Sequence, residues 1–295
     1  MEPMTTIHSP VMVQEVLAAL AIQPDDIVLD GTMGFGGHSQ EMRACLGLSG
    51  RLIGIDRDPV AVAHCRQVFS QDHQVSIYHQ SFSTFDAVTE GITKALFDLG
   101  MSSFHLDGSG RGFSFLKDEP LDMRMNPESG GETAYDLLQA RSQSELQAIF
   151  TDYGDLYRPE KLVSFIQHEG VLLKSTFGLV RLIKKSFFFR NQRTLFLKTC
   201  SQVFQALRIA VNCEFDEIAL AIHGLEKCLL PGGRVAFLTF HSGEDRLVKV
   251  LMKGNPSFKR LGPNATKAGQ SEIRQNSRAK SARLRVYERQ FSAYG

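Results

Sequence analysis

I-V-L-D-G-T-M-G-F-G-G-H-S occupies residues 27–39: a short apolar run, Ile27 to Leu29, breaks into glycines at 31, 34, 36 and 37 and gives way to helical spacing from His38. A strand, a glycine elbow and a helix start, in that order, form a β-α unit whose ligand gathers at the carboxyl end of the strand. The alternation continues outward. Leu52 to Asp56, Val75 to Tyr78 and Ala95 to Leu99 are β-rich runs, while Val11 to Leu20, His38 to Leu46 and Pro59 to Phe69 repeat apolar residues at helical spacing. This βαβ order predicts an α/β, Rossmann-like fold with a mostly parallel sheet and helices on both faces.

Beyond Gly100 the pattern changes. A stretch rich in Gly, Ser, Asp and Met runs to about Gly131, and helical signals follow. Ser142 and Glu145 have capping-box spacing, Pro159 opens Glu160 to Ile166, and Ser201 to Val211 and Glu214 to Leu229 carry apolar faces. Strand character returns at Arg234 to Phe240, after Pro231-Gly232-Gly233 read as a turn. Gly254 to Lys280 is poorly patterned, and Ala282 to Arg289 alternates as a last strand. The simplest arrangement is a discontinuous sheet domain, residues 1–112 and 216–295, with an inserted α-helical domain at 113–215.

Composition narrows the class. No run of about 18 apolar residues occurs, and Met1-Glu2-Pro3-Met4 lacks a signal-peptide pattern, so a cytoplasmic protein without membrane association is expected. The 5 cysteines show no C-x-x-C pair, which argues against a disulfide framework and a structural metal. Net charge is only +1, but its sign is segregated. Gly170 to Cys213 contains no Asp or Glu, and Lys259 to Arg289 is heavily basic. Two such stretches suit a polyanion or, equally, two solvated faces.

The elbow lacks the G-x-G-x-x-G and G-K-S/T fingerprints of phosphate loops. Asp30 at its lip would repel phosphate and attract an ammonium or sulfonium; Asp56 ends the second strand, where a carboxylate can accept ribose hydroxyls, and Asp98 ends the fourth. The spacing Asp30-x-x-x-Gly34-x-Gly36 is the form of this elbow in methyltransferases that use S-adenosylmethionine.

Longer strings carry a resemblance. H-S-P-V-M-V-Q-E-V-L-A-A-L at 8–20, the elbow, G-I-D-R-D-P at 54–59, D-L-G-M-S-S at 98–103, R-G-F-S-F-L-K-D-E-P-L-D-M-R-M-N-P at 111–127, F-Q-A-L-R-I-A-V-N at 204–212, P-G-G-R-V-A-F-L-T-F-H-S-G-E-D-R-L-V-K at 231–249 and S-R-A-K-S-A-R-L-R-V-Y-E-R at 277–289 together resemble the bacterial small-subunit rRNA cytosine-N4 methyltransferase family (RsmH/MraW). The resemblance spans nearly the whole chain. It implies a Rossmann-like enzyme dependent on S-adenosylmethionine that methylates a cytosine of the decoding centre. Its partner would be small-subunit rRNA or the 30S particle, with the oligomeric state open, a dimer included. Cofactor contacts would fall on Gly36, Gly37, His38, Asp56, Phe82, Asp98 and His105, the last standing where the family more often carries Gln.

For the chemistry, methyl transfer to an exocyclic amine needs positioning, desolvation and an acceptor for the amine's hydrogens. Asp98 and the following loop, with Ser102, are the candidates. His241 is either a proton shuttle or a satisfied core histidine. Phe113, Phe115, Met123 and Met125 around Arg124 would wall a flipped base or pack in the core. Arg190, Arg193, Arg278, Lys280, Arg283 and Arg285 would meet phosphates, Arg124 in the loop before the inserted domain would bind the substrate, and F-F-F at 187–189 is core or a stacking surface. Two rivals stand beside this reading: carbon-5 methylation through Cys200 in T-C-S, and an assembly factor that keeps the fold without catalysis.

Overall fold

The computed structural model describes residues 10–169, 174–190 and 192–291. Met1–Met4, the His8-Ser9 start of the first family string and Gly170 at the head of the acid-free stretch lie outside these. The elements, in chain order, are α1 (Val13–Leu20), β1 (Ile27–Asp30), α2 (Gly37–Ala44), β2 (Arg51–Asp56), α3 (Pro59–Val68), β3 (Val75–His79), β4 (Ile92–Asp98), α4 (Ser103–Asp107), α5 (Ala134–Ala140), α6 (Gln143–Ala148), α7 (Glu160–Glu169), α8 (Thr176–Ser186), α9 (Arg193–Asn212), α10 (Glu214–Cys228), β5 (Leu229–Thr239), α11 (Ser242–Lys253), β6 (Phe258–Lys267), α12 (Gln270–Gln275) and β7 (Arg283–Arg289). They fall into two compact units: residues 1–100 with 215–295, and residues 101–214.

The first unit is a seven-stranded sheet in the order β3-β2-β1-β4-β5-β7-β6. The pairs β3-β2, β2-β1, β1-β4 and β4-β5 are parallel, and β7 runs antiparallel between β5 and β6. The chain crosses from β3 over β2 and β1 to β4, so the strand order reverses beside β1, the place where open α/β sheets bind ligands. Two apolar layers cover the sheet. One gathers Leu29, Ile55, Phe97, Phe237 and Leu225; the other gathers Val28, Leu52, Leu96, Leu238 and Leu20. Adjacent residues of one strand thus enter opposite layers, and burial on both sides is why β1 and β4 read as nearly continuous apolar runs.

Two strands depart from the pattern expected of the sequence. Between Ile92 and Lys94 the β4-β5 register shifts, so β5 already begins at Leu229 and Pro231-Gly232-Gly233 lies within the strand as a bulge, not before it as a turn. β6 was hidden in the unpatterned tail. It is an edge strand, mostly exposed, with only Phe258 buried and Leu261, Ala265 and Thr266 half-buried, and its register with β7 breaks between Leu261 and Thr266. Alternation marks a strand only where one face is covered.

The second unit is helical. α5 to α9 enclose a core of Leu137, Leu146, Phe150, Leu162, Leu182 and Leu207. Ser142 and Glu145 form the reciprocal cap of α6, as their spacing requires. The unit begins at Met101, not at 113, because Met101 and Leu106 pack on its core and Arg111 donates to the carbonyls of Arg124 and Met125. Among the described residues no helix is long and apolar enough to cross a membrane.

Candidate active site

The elbow hangs between its neighbouring strands. Gly31 N–H donates to Leu96 O of β4 at 2.9 Å, and Met33 N–H donates to Ile55 O of β2 at 2.9 Å. Gly31 fits because a Cβ there would run into the Phe97 ring. Gly34 and Gly36 take φ of +53° and +83°, which L side chains rarely adopt. Gly36 is the N-cap of α2 and Gly37 its first residue, packed close to Pro10.

Three carboxylates meet this loop. Asp56 receives the N–H of Gly34 on Oδ2 at 2.7 Å and that of Asp58 on Oδ1 at 2.8 Å, fixing the elbow against the start of α3. Asp30 is 1 % exposed and accepts from Ser39 Oγ at 2.6 Å and Thr32 N at 3.2 Å. Burial pushes its pKa up to about 6 against the opposing pull of Ser39 and His38. Burial likewise raises Asp98, which His38 opposes. The Asp98 N–H donates to Thr32 Oγ1 at 2.6 Å.

His38 joins these parts. Its Nε2 lies 2.9 Å from Val11 O, and a carbonyl only accepts, so Nε2 carries a hydrogen. Its Nδ1 faces Asp98 Oδ2 at 3.5 Å. Nearby, Cys65 Sγ donates to Gly34 O, and burial reinforced by Asp30 and Asp56 holds its thiol up at about 12. Phe82 is buried edge-on to Phe97, their centroids 5.9 Å apart, with the Arg57 guanidinium 5.8 Å from its centroid. The structure therefore brings together Gly36, Gly37, His38, Asp56 and Asp98, and adds Thr32 and Ser39. Both hydroxyls were visible in the quoted string, but nothing in their spacing identified their partners, the Asp30 carboxylate for Ser39 and the Asp98 backbone N–H for Thr32.

The remaining candidates have other engagements. Ser102 and His105 belong to the second unit: Ser102 Oγ caps α4, accepting from His105 N, and lies 2.9 Å from His105 Nδ1, while the His105 ring packs on Phe113. His241 caps α11. Its Nδ1 accepts from Glu244 N–H at 3.3 Å, and its Nε2 lies 2.8 Å from Glu244 Oε1. Arg124 is clamped by Asp122 at 2.8 and 2.7 Å, and although burial acts to raise Asp122, this guanidinium keeps its carboxyl below the usual range. Phe113 and Met123 are core residues, with Met123 and Met125 tied through their backbones to Asn212. Arg285 is buried in a two-pronged pair with Asp245 and is no phosphate contact, whereas Arg190, Arg193, Lys280 and Arg283 are exposed and Arg278 is half-buried. Cys200 is fully buried in α9, and that burial pushes its thiol up to about 12, an environment that disfavours the thiolate a nucleophile needs.

A family model described as the MraW methylase family matches residues 5–290. The chain belongs to that family. Relatives named "Ribosomal RNA small subunit methyltransferase H" include that of Thioalkalivibrio sulfidiphilus, 37% identical over 96% of this chain and 97% of its own length. That of Dictyoglomus thermophilum is 37% identical over 98% and 99%. Family membership thus extends across both units. Among solved structures, an rRNA methylase from Streptococcus thermophilus aligns over 97% of this chain and 100% of its own, with 12% identity and a TM-score of 0.46.

Proposed function

We propose that this chain transfers a methyl group from S-adenosylmethionine to the exocyclic N4 of a cytosine in the decoding centre of small-subunit rRNA, acting in the cytoplasm on the RNA or its particle. The observation that carries this reading is the carboxylate-lined elbow. Asp56 and Asp98 meet a glycine loop that in other proteins receives phosphate, with Asp30 buried beneath it, and such a carboxylate rim favours a cationic guest over an anionic one. The cofactor supplies an electrophilic methyl carbon on a positively charged sulfur.

This chain's own residues fit that guest. A carboxylate accepts about four hydrogen bonds, so Asp56 can hold ribose hydroxyls while bracing the elbow. Gly36 and Gly37 let backbone approach closely, and Phe82 with Arg57 above it borders the second strand end. Asp98, kept in place by Thr32 and His38, is the acceptor for the amine's hydrogens. Ser102 orders the loop after Asp98 through its cap, and His241 keeps α11 in place. Arg190, Arg193, Arg278, Lys280 and Arg283 supply attraction for the RNA backbone.

Incubating unmethylated small-subunit RNA and particles with the enzyme and S-adenosylmethionine, then mapping nucleosides by mass spectrometry, tests the reading. One cytidine methylated at N4 is expected. Methylation at carbon 5 would contradict it, and cofactor binding without any transfer would leave an assembly factor in its place.

A further inference from the structure

The three consecutive phenylalanines before α9 divide their work. Phe187 and Phe189 pack against the core of the second unit, and Phe189 meets Phe196 edge-on at 5.2 Å. Phe187 is extended at φ −119° and ψ 149°, a conformation in which successive side chains point to opposite sides. Anchoring the outer two rings therefore turns Phe188 outward, where it is 81 % exposed. Arg190 adopts φ +40°, unfavourable for a residue with a side chain, and its guanidinium lies 5.6 Å from the Phe188 centroid. Core packing accounts for Phe187 and Phe189 and leaves the exposure of Phe188 unexplained.

Charge identifies the occupant. Lys184, Arg193 and Lys198 are exposed on either side of this segment, and no Asp or Glu occurs from Gly170 to Cys213. An aromatic ring on such a surface suits a polyanion that carries flat apolar rings, and in a duplex those rings are stacked out of reach. We propose that Phe188, backed by Arg190, is a stacking platform for an unpaired base of the RNA, an inference that rests on the rRNA reading above. The flanking cations hold phosphates, and the ring holds one base face.

Fluorescence anisotropy with a labelled single-stranded oligoribonucleotide and a matched duplex, over a salt series, tests it. Phe188→Ala and Phe188→Leu are expected to weaken single-strand binding roughly tenfold, leave duplex binding unchanged and preserve the salt slope, while Phe188→Tyr binds as the wild type does. Arg190→Ala should lower both the affinity and the slope, the latter by about one. Full affinity in Phe188→Leu would overturn the platform, as would equal losses on duplex. Unchanged RNA binding by Phe188→Ala, with weaker binding to an assembled small-subunit particle, would assign the ring to a protein contact. If the wild type bound neither RNA, the rRNA reading itself would fall.

Discussion

Ionising Asp30 costs the folded protein free energy. Its carboxyl is held by Ser39 and Thr32, yet burial moves its pKa from 3.8 to about 6. A carboxyl with the higher pKa in the folded state keeps its proton there while the unfolded chain has already lost it. Stability therefore falls as pH rises through about 4 to 6, and the penalty is complete above that window, on the order of 3 kcal/mol. Asp30→Asn should accordingly be more stable than wild type at pH 8 and nearly equal at pH 4, measured by urea unfolding at both. A stability difference independent of pH would show that the charge is not the cause. Charge also decides the expectation for Asp98→Asn. S-adenosylmethionine affinity should drop roughly ten- to a hundredfold by calorimetry, the scale of a hydrogen bond or contact to a charged group. S-adenosylhomocysteine, which lacks the sulfonium, should lose less; equal losses would count against an electrostatic rim.

At the scale of elements, the elbow and the cap of α11 are separable devices. Gly31→Ala would drive a Cβ into Phe97 beneath the sheet's ligand edge. It should cost about 1–3 kcal/mol in urea unfolding and displace the loop that Asp56 braces; a neutral effect would mean that the ring swings aside freely. His241→Ala removes a cap worth about 0.5–2 kcal/mol, whereas His241→Asn restores an N-cap without an imidazole. Wild-type turnover in the Asn variant would make His241 a cap alone, and a selective loss of kcat at matched stability would make it a proton carrier. The elements legible in the sequence are those whose packing imposes a period: β1, β2 and β4 are covered on both faces, and α10 buries one stripe. β6 was not legible, because a mostly polar edge strand whose register breaks midway covers too few residues to impose a period. The start of β5 was obscured because a bulge uses the same Pro-Gly-Gly chemistry as a turn.

Over the whole molecule, the segregation of charge was plain in the sequence, but which cations are available to a ligand was not. Arg283 and Arg285 stand two residues apart on β7 and share one face of the strand, so alternation does not separate them; what each meets on that face does. Arg283 is exposed opposite Lys267 on β6, while Arg285 is buried against Asp245, 40 residues earlier in the chain. Composition counts both as basic; only the fold distinguishes them. The two should therefore respond differently to the same truncation. Arg285→Ala leaves the Asp245 carboxylate without its partner and should cost on the order of 3 kcal/mol, since removing one member of a buried pair costs more than the pair contributes. Arg283→Ala should change stability by no more than about 0.5 kcal/mol, yet lower the slope of log affinity against log salt for small-subunit RNA by about one, as expected for one lost phosphate contact. Urea unfolding and a salt titration of RNA binding on both variants decide this. If Arg283→Ala kept the wild-type slope, this edge of the sheet would be a solvated face with no part in holding RNA.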